Sequence, residues 1–323
     1  MTGTADAPRD GQHRRHRGMR PVVVFTPWPV LTVTIESGAD NEDHIHFHAG
    51  GQGVWIARMI ESLGHDAMLV GPFGHGSGAV VEALLRAEGI DVRAIPVGQR
   101  TGAYVNDRRK GAREELARMW PAPLDRHEMD DLFDAALTSA LDAGHCVLTG
   151  SADERFIAPD IISRLAVDLA GAGIDVTADL SRASLTELRG GVSCLKVSHE
   201  ELIGAGFSTE NTLPDLMAGV GRLGARAAGD VIVSRAADGA LARLDGAFVE
   251  ATAPRLTAFD HTGAGDSMTA ALAIARVEGM TRTDALKFAV AAGAINVTRH
   301  GRGTGNRADI EVVATRVNIR PLD

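Results

Sequence analysis

Tyrosine occurs once in this 323-residue chain, cysteine twice, and aromatic residues make up only 4 % of it. With so little cysteine, a disulfide-built scaffold is excluded. Cys146 and Cys194 lie in apolar, strand-like runs and read as buried, reduced thiols. No uninterrupted apolar stretch reaches the roughly 18–20 residues that a bilayer-spanning helix needs, so no membrane segment is expected. An excess of positive charge is also missing. Against 42 Asp and Glu stand 33 Lys and Arg, a formal net charge of −9. That balance argues against general binding to nucleic acid or to an acidic membrane surface, and a small anionic ligand would need a local cationic pocket. The basic cluster from Arg14 to Arg20 sits in a polar segment without the apolar centre of a signal peptide. Residues 1–20 are therefore read as a disordered basic tail, with Met19 an alternative start, and the expected compartment is the cytoplasm.

What is present is ordinary globular composition, 45 % hydrophobic and 23 % charged, in a length that allows one large α/β domain or two small ones. Pro21–Thr26 is a short apolar run suited to a buried strand. Gly50-Gly51 and Gly53 precede a helical pattern over Val54–Leu63. A buried strand follows at Ala67–Val70, a loop at Gly71–Gly78, a helix at Ala79–Glu88 and a strand at Val92–Ile95. Glu128–Ala143 patterns as an amphipathic helix. From His145, strands at Cys146–Leu148, Asp175–Ala178, Cys194–Val197 and Val231–Val233 alternate with helices at Pro159–Ala170 and Thr212–Leu223. Short strands at Ala240–Leu244 and Ala247–Glu250 and helices at Ser267–Val277 and Arg282–Thr298 complete the chain. The alternation predicts a mostly parallel sheet with helices on both faces, a Rossmann-like α/β fold. Residues 32–48 and 98–118 break it with the polar–apolar alternation of half-exposed strands, and are assigned to a small β-lid. The α/β domain is then 21–31, 49–97 and 119–323. In such sheets ligands bind beyond the carboxyl ends of the strands, where a closing lid excludes water.

Chemistry is expected at Asp260-His261-Thr262-Gly263-Ala264-Gly265-Asp266-Ser267, just ahead of the small, apolar run Met268–Ala275. A glycine turn at a helix N-terminus gathers backbone N–H groups and the positive end of the helix dipole at one point, a place for an anion such as a transferring phosphoryl group. Asp266, in the first turn, can accept the proton of an attacking hydroxyl. The alternative is that Asp266 only caps the helix.

This turn closely resembles the second signature of the PfkB/ribokinase family of small-molecule kinases, Asp-Thr-x-Gly-Ala-Gly-Asp, with His261 where Thr is usual. Gly50-Gly51-Gln52-Gly53-Val54-Trp55-Ile56-Ala57 is similar to the family's first signature, Gly-Gly-x-Gly-x-Asn-x-Ala. Phe25-Thr26-Pro27-Trp28-Pro29 resembles the Thr-Pro-Asn-Pro opening of the branch containing 1-phosphofructokinase and tagatose-6-phosphate kinase. The resemblance implies a ribokinase-like fold, ATP and Mg²⁺, an anion hole of Gly263, Ala264 and Gly265, and Asp266 as base. It places a sugar or related alcohol between the lid and Gly50, Gly51 and Gln52. For the nucleotide it implies Lys196, Ser198 and Glu201, in a stretch similar to Lys-Pro-Asn-x-x-Glu, with Glu201 reaching the metal through water. Ser234, Ala236 and Gly239 follow from similarity to Ser-x-Gly-x-x-Gly, joined by Gly263, Gly265 and Asn296. Ala289–Asn296 and Arg299–Gly305 are similar to the adenine-side helix and loop.

Departures from the pattern gather on the acceptor side. Trp28 and Trp55 stand where Asn is usual, Thr32 where the branch has Asp, Gln52 for a Lys, and Gly102 for the Arg of a Thr-Arg pair. A carboxylate, two amides and cations are thus exchanged for bulk and neutrality. The expected acceptor is none of fructose 6-phosphate, fructose 1-phosphate and tagatose 6-phosphate. The indoles are read as flat surfaces for a sugar face or ring, or else as plain core. Ala236 in place of Gly puts a methyl where a phosphate or ribose would lie. His44, His46 and His48 share one strand face, with substrate contact or a solvated lid face expected and a metal site the alternative. The chain is accordingly read as an ATP-dependent kinase for a hydroxyl of a sugar, sugar derivative or related alcohol. Two rivals stand beside this: a catalytically silent family member that binds ligand or nucleotide, and a nucleoside kinase. An exposed lid edge would allow a lid-to-lid homodimer.

Overall fold

The structure, a computed structural model, describes residues 20–38, 42–111, 113–151, 153, 155–224, 228–257, 262–298 and 305–322. The basic tail up to residue 19, His261 and the loop at 299–304 lie outside the described residues. Strand β1 (Val22–Phe25) leads through Pro27-Trp28-Pro29 into β2 (Val30–Ser37) and β3 (Asp43–Gly50). Helix α1 (Gln52–Ser62), β4 (Ala67–His75), α2 (Ser77–Ala87), β5 (Asp91–Arg100), β6 (Gly102–Asp107) and β7 (Glu114–Met119) follow. Next come α3 (Arg126–Ala143), β8 (His145–Thr149), α4 (Pro159–Gly171), β9 (Asp175–Asp179), α5 (Arg182–Thr186), β10 (Val192–Ser198) and α6 (His199–Gly204). The chain ends with α7 (Leu213–Gly224), β11 (Ala228–Ser234), β12 (Ala240–Leu244), β13 (Ala247–Thr252), α8 (Ala264–Val277), α9 (Arg282–Asn296), α10 (Arg307–Ala314) and β14 (Asn318–Leu322).

Ten strands form the central sheet in the order β14-β13-β12-β11-β10-β9-β8-β1-β4-β5. Every pairing from β11 to β5 is parallel, and β12, β13 and β14 finish the sheet antiparallel. A strand covered on both faces needs apolar residues at successive positions, and β1 has them. Val22 and Val24 join the core beneath α1, α8 and α9, while Val23 and Phe25 join the core beneath α3, α4 and α7. The expected α/β class is therefore the observed one. Cys194 belongs to the first core and Cys146 to the second, so the sheet separates two free thiols, both pushed up to about 12 by burial. Local signals set several helix limits. The Asp125 carboxylate accepts from the Glu128 N–H while the Glu128 side chain accepts from the Asp125 N–H, and Gly144 closes α3 at φ 87°.

A second, four-stranded sheet in the order β3-β2-β6-β7 is the lid, with β2 and β6 parallel and the outer pairs antiparallel. Register aligns Thr32 with His48 and Tyr104, and Thr34 with His46 and Asn106, on one face. The intervening Val33, Phe47 and Val105 take the other face. The lid strands begin at Val30 and resume at Gly102, whereas residues 98–100, expected in the lid, close β5 of the central sheet.

The loop expected at Gly71–Gly78 is instead strand as far as His75 and helix from Ser77. Gly74 serves close strand packing rather than a turn, which falls at Gly76 alone: pairing to β5 continues past Phe73 with a register break, and a Cβ on Gly74 would collide with the Gln99 carbonyl. Helices α6 and α10 and strand β14 add to the elements expected from the sequence.

Candidate active site

Helix α8 starts from a glycine turn. Gly263 caps it in the left-handed region, φ 85° and ψ 3°, and Ser267 returns its backbone N–H and its hydroxyl to the Gly263 carbonyl, each at 3.0 Å. Behind the turn, the buried Asn296 on α9 donates its amide to the Thr262 carbonyl at 3.0 Å. Asn296 thus supports the turn from the core side. Asp266, in the first turn of α8, lines the main cleft.

Lys196, on β10, reaches the same point. Its Nζ packs so closely on Gly265 that a Cβ there would lie 2.5 Å away, and it donates to Asp179 at 3.1 and 3.4 Å. Thr269 donates its hydroxyl to the same Asp179 carboxylate at 2.6 Å. Lys196, Asp179 and Thr269 are all buried. Burial alone would pull the Lys196 pKa down, but the carboxylates of Asp179, Glu201 and Asp266 outweigh it and raise it, so the ammonium stays charged. Glu201 moves the other way for a carboxylate's ionised form: burial, then repulsion from Asp179, pushes its pKa up. One cation therefore faces three carboxylates; Asp179 is committed to Lys196 and Thr269, while Glu201 and Asp266 line the cleft, where a cation that keeps its waters needs only one or two carboxylates. Asp179 was missed in the sequence, although an acid ending a parallel strand stands where ligands bind in such sheets.

A cleft of about 720 Å³ opens between this turn and the lid. Trp28, Thr32, Gly50, Gly51, Gln52, Trp55, Glu201 and Asp266, all singled out from sequence, line it together. Gly51 has φ 110° as the residue preceding α1, and a Cβ there would collide with the Trp28 carbonyl, so the signature glycine locks the α1 entry onto the Trp28 turn. Trp28 is mostly core, 7 % exposed, with Trp120 and Phe156 edge-on at ring separations of 5.7 and 5.2 Å. Trp55 carries the Arg58 guanidinium at 4.4 Å from its ring centre. Bulk has indeed entered the site. Arg58, Arg108 and Arg113 line the cleft beside Glu36 and Glu88, with Arg58 bonded to Glu88, so positive charge enters from positions other than those where the branch's cations are replaced. Arg58 follows directly on the first-signature stretch in α1, and Arg108 and Arg113 come from the β6–β7 connection, which no motif marks.

The remaining sites fall outside that cleft's lining or play local roles. Ser198 and Glu201 form a reciprocal cap on α6, with Ser198 N–H donating to Glu201 Oε2 at 2.7 Å and Glu201 N–H to Ser198 Oγ at 3.1 Å. Ser234, at the end of β11, donates to the Val197 carbonyl at 3.4 Å. Ala236, exposed in the 3₁₀ turn Ala236–Asp238, sits at φ 50°, and Gly239 ends that turn at φ 82°. His48 lines the cleft, and its ring stacks on that of His46 at 6.1 Å and 18°. Stacked rings do not aim their nitrogens at one ion, and among the described residues no group of three His, Cys, Asp or Glu is placed to hold a metal. Among the same residues no helix is long and apolar enough to cross a membrane.

Known proteins match this chain along most of its length. The chain is 28 % identical over 270 residues to an ATP-dependent 6-phosphofructokinase isozyme 2 of Mycobacterium tuberculosis, covering 82 % of this chain and 78 % of that one. It is 25 % identical over 315 residues to a 1-phosphofructokinase of Vibrio cholerae, covering 94 % and 98 %. Among solved structures, Escherichia coli phosphofructokinase-2 in complex with potassium superposes with a TM-score of 0.81 at 21 % identity, over 92 % of this chain and 99 % of that one. Arabidopsis thaliana ribokinase complexed with ribose and ATP gives 0.70 at 22 % identity, with the same coverage. These two share the fold, a ribokinase-like α/β sheet. The family model for pfkB family carbohydrate kinases matches residues 30–309, most of the sequence. On that match the chain belongs to the pfkB family of carbohydrate kinases, phosphotransferases whose acceptor is a hydroxyl group.

Proposed function

We propose that this protein is an ATP- and Mg²⁺-dependent kinase that phosphorylates a hydroxyl of a phosphorylated sugar, with Asp266 as general base and the Gly263–Gly265 turn as anion hole. The observation that carries it is the meeting in one place of Asp266, the N-terminus of α8 and the buried Lys196 ammonium, at the edge of a lidded cleft. The relatives' names, 6-phosphofructokinase and 1-phosphofructokinase, favour a phosphorylated acceptor, as do the arginines along the cleft. The exchanged side chains Trp28, Thr32 and Trp55 argue for a different sugar body from those relatives' acceptors.

When bound, ATP would supply the phosphoryl group and Mg²⁺ would draw charge from it, with Glu201 as the residue that would reach the cation through water. Asp266 takes the proton from the attacking hydroxyl. The N–H groups of Gly263, Ala264 and Gly265, with Lys196, stabilise the charge that grows on the transferring oxygens, a preorganised electrostatic effect. The lid residues Thr32, Thr34 and Tyr104 cover the acceptor and exclude water. The nucleoside-kinase alternative needs an open indole face, and Arg58 on Trp55 speaks against it. By the same reading the protein works in the cytoplasm and pairs lid to lid. Ile45 and Phe47 on edge strand β3 are 58 and 53 % exposed, an apolar strip that a second copy would cover.

The test is ATP turnover by the purified protein with Mg²⁺ against sugar phosphates, free sugars, polyols and nucleosides. One acceptor should support turnover, and Asp266→Asn should lower kcat by about 10²–10⁴-fold without loss of fold. Wild-type-like turnover by that variant would refute the role of Asp266. Silence across the panel with no ATP bound would favour a silent binder.

A further inference from the structure

The arginines around the acceptor side of the cleft are held in different ways. Arg58 donates Nε and one terminal nitrogen to the Glu88 carboxylate at 2.5 and 2.6 Å. Arg118, lying over Tyr104, does the same with Glu115 at 2.9 and 2.6 Å. Their charges are cancelled where they stand. Arg113 is different: its Nε donates to Oδ1 of Asn106 at 3.0 Å, and Asn106 is 2 % exposed. Among the described residues Arg113 forms no ion pair.

An amide oxygen can fix a guanidinium without neutralising it. With Nε committed to Asn106, the two terminal nitrogens keep the forked geometry that matches two oxygens of a phosphate or carboxylate. Both residues line the cleft that Asp266 lines from the opposite, sheet side. Among the lid carboxylates near it, Glu115 is bonded to Arg118 while Arg113 also draws its pKa down, and Glu36, on β2 beside β6, lines the cleft with Arg113; neither is within ion-pair distance of the Arg113 guanidinium. Arg108, from the same connection as Arg113, adds a second positive charge to the wall.

We infer that Arg113, aimed by the buried Asn106, grips the phosphate ester already carried by the acceptor and so selects phosphorylated over free sugars. Arg113 is the specificity-determining contact and Asn106 the positioning residue. This rests on the kinase reading above, but binding alone tests it separately from turnover.

The experiment compares a panel of aldose and ketose phosphates, among them glucose 6-phosphate, ribose 5-phosphate and fructose 6-phosphate, with the matching free sugars. Wild type, Arg113→Gln, Asn106→Asp and Arg113→Lys are each measured by calorimetric binding and by steady-state kinetics. Wild type should bind at least one phosphorylated sugar more tightly than its free counterpart. Arg113→Gln should erase that preference by about 30-fold, the scale of a lost charge-assisted contact, with the loss in KM rather than kcat. Asn106→Asp is nearly isosteric and keeps the hydrogen bond, yet it cancels the charge, so it should lose the preference as well. A merely structural asparagine would not behave so. Arg113→Lys should recover the preference only in part, because a point charge lacks the fork. An unchanged preference in Arg113→Gln, or in Asn106→Asp, overturns the inference. So does a wild type that binds no phosphorylated sugar more tightly than its free counterpart, even if free sugars are turned over. Arg113-dependent binding without turnover would leave the anion site standing and count against the kinase reading instead.

Discussion

Replacing Gly265 with alanine should separate the anion hole from the fold. Gly265 is the second residue of α8, outside the left-handed region, where alanine favours the helix by up to about 1 kcal/mol. The added Cβ would lie 2.5 Å from Lys196 Nζ and 3.3 Å from its Cε. Reaching ordinary contact requires the ammonium to retreat by about 1 Å. Lys196 is buried and bonded to Asp179 at 3.1 and 3.4 Å, so the retreat weakens a buried ion pair by about 1 kcal/mol. Asp179 keeps the Thr269 hydroxyl at 2.6 Å. Helix gain and ion-pair loss offset, and the Tm should move by no more than about 2–4 °C. Catalysis has no such offset. A catalytic cation displaced by about 1 Å, with a methyl group in the phosphoryl pocket, should lower kcat by about 10²-fold. Steady-state kinetics on the acceptor identified by the panel, run beside a thermal melt, checks both halves. Wild-type kcat with an intact melt would refute the assignment of the turn; a protein that no longer folds would refute the estimate of a near-neutral stability change.

Two further outcomes concern stability. Glu278, at the end of α8, accepts from Arg307 at 2.5 and 2.8 Å and pairs with His65 at 2.7 Å. The Arg307 guanidinium holds its carboxyl down to about 2 against the opposing effect of burial, with help from His65. Its folded pKa lies below the ordinary value of 4.5, so its contribution is present above that value and fades as pH falls toward 2. Urea unfolding at stepped pH should show Glu278→Gln less stable at neutral pH and flatter on the acid side, and equal acid slopes would sink the linkage. Ala236 is exposed at φ 50°, where glycine avoids a left-handed penalty that outweighs its extra chain entropy. Ala236→Gly should therefore stabilise by about 0.5–1 kcal/mol in chemical unfolding, and a destabilised variant would contradict the strain.

Fold class was legible because doubly covered strands must be apolar at successive positions, a constraint that all four residues of β1 meet. The Gly263–Asp266 turn was legible for a related reason: only certain residues permit a left-handed cap followed at once by a helix. Sequence spacing failed where glycine had two uses. Gly71 and Gly74 look like a loop, and only the neighbouring β5 backbone makes them strand. It failed again at the acceptor side, where substitutions at 28, 32, 52, 55 and 102 pointed to a site without cations.

The sequence by itself determined the sheet, the helix-capping turn and the acid that follows it, because each depends on neighbours a few residues apart. Tertiary structure alone decided that Lys196 meets Gly265 and Asp179, and that Arg113 rests on a buried Asn106 rather than on a carboxylate. Those contacts join residues on separate strands and helices. Whether a charge is cancelled or left available depends on the partner across the gap, which no local pattern encodes.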